Sequence, residues 1–382
     1  MATLQALPTE ARRLLDLARR DRAAARSELA RHSVDEQVAL ICESPLARRA
    51  ELLDLAPQPE AVIPRIPPAE LCFLAKSVGL HDAGWILEHA TPEQIVAGID
   101  LSAWRGNLPD GGELRSWLEG FADAGDDTMQ RAAHALDMEL LVIQLRERVQ
   151  VIAKTSDDDW EEPANGVTID GQFYLIGIES DDDLSDVMQL LRVLFQRDYW
   201  VYFRVLMGVQ FESQSEMEEW ALRWRSGRLQ DLGFPPPEDA KRVYAYIRPE
   251  KVLELPEEPS THELGEWQLP VWMPSLPTSD TDRSLFRAMA ELSEEERRPL
   301  LFAFLALANC IAMADGLPLG EAESMPAALD KAARLASLGL DRLADAKGVP
   351  GVAVLRRAPL ERLFRVGWHL SGEQLPPDPE SD

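Results

Sequence analysis

The sequence predicts a mainly α-helical protein. It should have a stacked, solenoid-like helical repeat at the N-terminal end, a small β-hairpin inserted in an α+β middle region, and a C-terminal helical bundle. Three observations carry that expectation. Short apolar segments recur between residues 28 and 101, each opened by a breaker and an acidic residue. An Asp-Gly pair sits between two apolar, β-branched runs at residues 167–176. Near the C-terminus an apolar run from Leu300 to Ala314 is followed by a further helical stripe.

A chain of 382 residues with 46% apolar side chains is long and greasy enough for two or three domains with cores of their own. The 66 acidic against 39 basic groups leave a formal charge of -27, a field that repels phosphate backbones and anionic membranes. No nucleic acid and no membrane insertion are therefore expected, and a protein partner with a basic or mixed-charge surface is. Residues 1–50 run against the trend, with nine Arg and seven acids, so the N-terminus can dock on an acidic surface, this protein's own included. Cys42, Cys72 and Cys310 form no C-x-x-C pair and read as buried thiols in a reducing compartment. No apolar leader follows Met1 to Glu10, and Leu300–Ala314, interrupted by Asn309, is short for a membrane span. The expected location is cytoplasmic.

In chain order, Pro8 opens a helix whose apolar side is Leu14, Leu15, Ala18, Ala25 and Leu29, with arginines crowding the rest. His32–Val38 parallels His89–Ile95 at an offset of 57 residues, and Ile66–Leu71 matches Ala90–Ile95 at an offset of 24. Helices this short cannot bury their stripes alone, so they must stack on their neighbours. His32 and His89 stand where a ring nitrogen can serve a backbone group. The stripe from Met129 through Leu136, Leu140 and Ile143 to Ile152 reads as one long helix over Thr128–Lys154. Next, Asp170-Gly171 suits the type I′ turn of a hairpin over 167–178. Leu184 to Met207 reads as one bent helix or two. Ser213 and Glu216 open a helix reaching Leu232, with Gly233 as its C-cap, and a short helix follows to Tyr246. Pro256, Pro259, Pro270, Pro274 and Pro277 mark a linker or surface arm. A helix capped by Ser293 and Glu296 then runs to Ala314, and another covers Pro326–Leu338, ended by Gly339. The domain plan is thus 1–154, 155–252, a linker at 253–282, 283–370 and a frayed tail at 371–382.

No Walker loop, G-x-G-x-x-G, G-x-S-x-G or H-E-x-x-H is present, so no catalytic residue, cofactor or firm metal site is assigned. The acidic runs around Asp159, Asp181 and Asp183 lack the spacing of a calcium loop and suit solvated or capping roles. Were a cation held, those three would be its ligands. The segment Trp220-Ala221-Leu222-Arg223-Trp224-Arg225, with Arg228 beyond, offers the sharpest candidate. Trp220 and Trp224 share one helix face. Two readings stay open. Either the indoles are core and Arg228 is an internal clamp, or Trp220, Arg223, Trp224 and Arg228 form a partner surface. The Tyr199–Phe203 aromatic run must split, some rings meeting the hairpin or the tryptophan helix.

Several blocks resemble a bacterial family, known mainly from deltaproteobacteria and myxobacteria, designated domain of unknown function 6178. They are His81-Asp82-Ala83 through Gln94, Asp100–Trp104, Arg228-Leu229 with Gly233-Phe234-Pro235 and Tyr244, and Leu363–Gly367. The resemblance implies an intact fold and supplies no mechanism. Residues 51–101, with helices begun by Pro-Pro-Ala-Glu and Thr-Pro-Glu-Gln, are also similar to the helical cytoplasmic repeat of a class of magnesium transporters. That likeness implies an interaction module with a cation response. The leading expectation is a non-catalytic scaffold or regulatory adaptor. The alternatives are a ligand- or divalent-cation-responsive regulator, and an enzyme of unknown class.

Overall fold

A computed structural model describes residues 9–155, 160–179, 184–252 and 283–374. The expected arm at 253–282, the tail from 375 and the acidic runs at 156–159 and 180–183 lie outside the described residues. The chain is mainly α-helical, with two small sheets among the described residues. It divides into two compact units, the first ending at Arg225 and the second beginning at Ser226.

The first unit is a pile of short helices. Those beginning at Leu46, Pro68, Pro92, Asp126 and Ser185 pack each on the next. Their buried side chains form one continuous apolar core from Ala11 to Ala221. The repeat is visible in the helices Pro68–Val78 and Pro92–Ser102, each opened by proline in its first position, where a missing donor costs nothing. Their equivalent third residues, Glu70 and Gln94, are both buried. Gln94 donates to the carbonyls of Ile63 and Ile66 at 2.8 and 2.7 Å.

Capping differs from expectation in one respect. Ser33 with Glu36, and Thr91 with Gln94, form reciprocal capping boxes, one residue out of register with the 57-residue offset. The hydroxyls, rather than the rings of His32 and His89, take the capping position. His32 instead offers its backbone carbonyl to Gln37 at 2.9 Å. The arginine-rich opening is two helices, Thr9–Ala18 and Arg22–Leu29, because Asp21 turns extended and caps Ala24 at 2.9 Å. Its cations meet this protein's own acids: Arg13 bonds Glu10 and Glu28, and Arg22 bonds Asp54.

The single helix expected over Thr128–Lys154 is broken twice. Helix Asp126–Ala135 stops where Leu136 and Asp137 become extended, helix Met138–Arg148 follows, and Val149–Ala153 is a strand. Val149 and Val151 are buried while Gln150 between them is exposed, the two-residue period of a sheet. This strand pairs antiparallel with Phe173–Gly177, Val149 opposite Gly177 and Ala153 opposite Phe173. Val167–Thr168 pairs on the other side of Phe173–Gly177, so the expected hairpin becomes a three-stranded sheet.

The hairpin turn is not type I′. Of its central pair only Gly171 has positive φ. Asp170 instead accepts from Gln172 and Phe173 backbone N–H groups at 2.8 and 3.0 Å, an Asx turn in a longer loop. The apolar stretch from Leu184 is two helices, Ser185–Arg197 and Tyr199–Phe211, divided at Asp198, whose carboxylate caps Val201 at 3.2 Å.

The second unit opens with the end of helix Gln214–Asp231. Phe234 N–H donates to Leu229 and Gly233 N–H to Gln230, with Gly233 at φ +83, so Gly233 ends the helix in a Schellman motif as expected. Helix Glu294–Ala314, capped by Ser293 and Glu296, is long and apolar enough to cross a membrane. Within this unit it packs against helices Ser324–Lys347 and Leu360–Ser371. Gly339 does not end a helix; Ser324–Lys347 runs through it to Gly348, which is left-handed. The glycine serves a close approach. A Cβ there would lie 1.9 Å from the Leu363 carbonyl oxygen, and one on Gly367 1.8 Å from that of Leu335. Two backbones touch at this crossing, and any side chain forces them apart.

Gly339→Ala and Gly367→Ala should each destabilise the second unit by about 3 kcal/mol or more. Leu338→Ala, at an exposed neighbour, should stay within about 0.5 kcal/mol. Calorimetry of the full chain distinguishes the two classes.

Candidate functional site

Helix Gln214–Asp231 carries the tryptophan–arginine segment, and its residues up to Arg225 belong to the first unit. Ala221 is fully buried, Met217 packs on the core and Arg225 is half-buried, which defines the inward face at four-residue spacing. Glu216, Glu219, Trp220, Arg223 and Trp224 point outward and are exposed. The large rings thus lie on the solvent side and a single methyl on the core side.

Trp220 and Trp224 are 42% and 47% exposed. Their rings stack with centroids 6.0 Å apart and planes 26° from parallel. The Arg223 guanidinium lies 5.2 Å from the Trp220 ring centroid. Cation–π contact at an exposed site contributes about 0.5–1 kcal/mol, enough to bias the rotamers of both side chains. The reading in which the indoles are core is therefore corrected. Arg225 makes an internal clamp from this helix. Its Nε donates to the Asp100 carbonyl at 2.8 Å, its Nη1 reaches the Gly106 carbonyl at 3.4 Å, and its guanidinium lies 4.8 Å from the Trp104 ring centroid. Arg228, half-buried, falls in the second unit.

The Tyr199–Phe203 run divides as expected. Tyr202 is buried with its ring 5.4 Å from Phe195 and 6.3 Å from Phe173 of the sheet, and Phe203 is 5.7 Å from Phe173. Trp200 is left 72% exposed.

Asp159, Asp181 and Asp183 lie outside the described residues. Among the described residues no three His, Cys, Asp or Glu side chains gather as metal ligands would. All three cysteines are free thiols, and burial pushes Cys310 up to about 12, a group with no thiolate character near neutrality.

His81 binds two carboxylates of helix Gly111–Asp123: its Nδ1 is 3.0 Å from Asp123 and its Nε2 3.3 Å from Glu119. The hydrogen bond to Asp123 raises its pKa from the ordinary imidazole value, against a smaller loss from burial. A raised value means that the protonated ring stabilises the fold. That contribution is complete below pH 6.5 and disappears as pH climbs through the folded-state value. The stability difference between the wild type and His81→Gln should therefore be larger on the acid side of pH 6.5 than well above it, as read by urea unfolding at both ends.

In the second unit Lys331 sits in a box that no local motif signals. Its Nζ is 2.7 Å from Asp315 and 4.9 and 5.0 Å from the ring centroids of Tyr244 and Trp368. The Tyr244 hydroxyl donates to the other Asp315 oxygen at 2.6 Å. Burial, then that bond, pushes the phenol well above its usual range. With cation, carboxylate and phenol satisfied by each other, the cluster bolts helices Glu294–Ala314, Ser324–Lys347 and Leu360–Ser371 to the turn Lys241–Tyr244. Tyr244 and the Leu363–Gly367 block, noted in sequence as separate signatures, meet at its edge, Tyr244 being 5.7 Å from Phe364.

The fold defines a mainly helical protein of stacked short helices with one outward aromatic–basic helix face. The chain belongs to the family of unknown function DUF6178, whose model matches residues 26–373. No curated protein and no solved structure matches it.

Trp220→Ala and Trp224→Ala should each cost about 1 kcal/mol or less, the loss of an exposed stacking or cation–π contact. Arg225→Ala should cost about 1–3 kcal/mol by removing its part-buried hydrogen bond to the Asp100 carbonyl and its packing on Trp104. Chemical denaturation of the three variants checks the inversion of the helix faces.

Proposed function

We propose that this chain is a non-catalytic cytoplasmic scaffold or regulatory adaptor that engages a protein partner through the outward face of helix Gln214–Asp231. One observation carries the reading: two stacked indoles and a guanidinium stand open to solvent on a helix whose other face is anchored by Arg225. Tryptophan and arginine are the side chains that most often dominate protein interfaces, because they bring large rigid area and directed hydrogen bonds together. Burying one such ring contributes on the order of 1.5–3 kcal/mol.

The surroundings narrow the partner. Glu216 and Glu219 flank the indoles, and Arg223 is the cation among them. A matching surface needs apolar groups opposite the rings, a base opposite the glutamates and an acid opposite Arg223. That is a mixed-charge protein surface. A phosphate-rich ligand would meet the two carboxylates and the overall charge of -27.

Quantitative affinity purification from the native cell tests the proposal. A recurrent companion should be recovered with the wild type and lost, about tenfold or more, with Arg223→Glu and with the Trp220→Ala/Trp224→Ala pair. Arg228→Glu is the separate test of that residue's membership in the site. Equal recovery by the wild type, Arg223→Glu and the tryptophan pair would remove the face from consideration.

A further inference from the structure

Helix Gln214–Asp231 is polar along its length. On its outward face Glu216 and Glu219 precede Arg223, with Trp220 between Glu219 and Arg223 and Trp224 just beyond. A face on which acid, ring and base follow one another in that order matches itself when turned end for end. A parallel copy would set acid against acid and base against base.

We infer that the partner of this face is a second copy of this chain, the two helices antiparallel across a twofold axis near Ala221. The inference rests on the interaction reading above and names its partner. With the axis there, Glu219 of one copy lies opposite Arg223 of the other, and the same pair recurs across the axis. Both residues are exposed and both stand in the first unit. The Trp220 rings approach each other at the centre, with Trp224 beside them, so apolar area is buried where the charges are not. Because the contact is isologous, each copy uses the face once and the pair closes without leading to a filament.

The order of side chains along the face, rather than net charge, points to this occupant. Two copies that each carry -27 repel at long range, a cost that the two facing Glu219–Arg223 pairs and the buried rings must offset. The outward face sets Arg223 against Glu219 with apolar rings at the centre. A different protein would have to reproduce the same order of acid, ring and base, whereas a second copy has it by construction.

Sedimentation velocity of the purified full chain over a range of concentrations tests the pairing. The wild type should rise toward twice the chain mass. Glu219→Arg and Arg223→Glu should each weaken the pair by about tenfold or more, since like charges then face each other twice. An equimolar mixture of those two variants should restore it, because every contact in the mixed pair is again acid against base. Trp220→Ala/Trp224→Ala should be monomeric with an unchanged circular dichroism spectrum. A wild type that stays monomeric, a pair indifferent to these variants, or a mixture that does not recover would each overturn the inference. A monomeric wild type that still loses a different companion on Arg223→Glu would overturn it while leaving the interaction reading standing.

Discussion

Arginine side chains that reach across to the carbonyl ends of neighbouring helices hold the first unit together. A helix of eight to thirteen residues leaves its last four carbonyls without intrahelical partners, a large share of its backbone, and those carbonyls carry the negative end of the helix dipole. Arg49 donates to Cys42 and Ser44 at 2.7 and 2.9 Å, at the end of helix Val34–Cys42. Arg131 reaches Leu87 and Glu88 at 3.2 and 2.6 Å, at the end of the still shorter helix Gly84–Leu87. Arg146 serves Gly208, Val209 and Glu212 at the end of helix Tyr199–Phe211. Arg225 does the same for Asp100 in the last turn of helix Pro92–Ser102. Hydrophobic stacking alone would leave such ends dry and unpaired. The guanidinium, with several donors on a planar fork, can serve two or three carbonyls at once.

Two ion pairs in the same unit carry more weight because they are buried. Arg49 also pairs with Glu70, and Arg148 with Asp186, all four nearly inaccessible to water. Removing one partner of such a pair costs about 3–5 kcal/mol, since the other charge is stranded. Their value is then specificity as much as stability. Glu70 sits in the first turn of its helix, so Arg49 sets the register between the end of one helix and the start of another. The same device orients the candidate face. Arg225 turns its side of helix Gln214–Asp231 inward, and Trp220 and Trp224 are carried outward by helical geometry alone.

Much of this was legible in the sequence where the signal is local. The proline-opened helices, the capping box at Ser293, the hairpin around Gly171 and the C-cap at Gly233 all depend on a few adjacent residues. The readings that failed were those in which local patterns compete. Val149–Ala153 continues a helical stripe and alternates like a strand, and only the presence of Phe173–Gly177 alongside resolves the choice. Gly339 has the local look of a helix stop, but the crossing helix at Gly367 makes it an interior contact. Lys331, Tyr244, Asp315 and Trp368 form one cluster from four distant segments, and nothing in any segment announces it.

The tryptophan helix shows the division most sharply. Sequence alone determined that a helix forms there, that Trp220 and Trp224 share a face, and that acids precede bases along it, because these are matters of spacing within one continuous segment. Which face points inward was decided only by the tertiary structure. A stripe of two indoles and a stripe with Ala221 and Arg225 are both plausible cores until the carbonyls of Asp100 and Gly106 are in place. Those two acceptors bind Arg225, and the rings are left to the solvent.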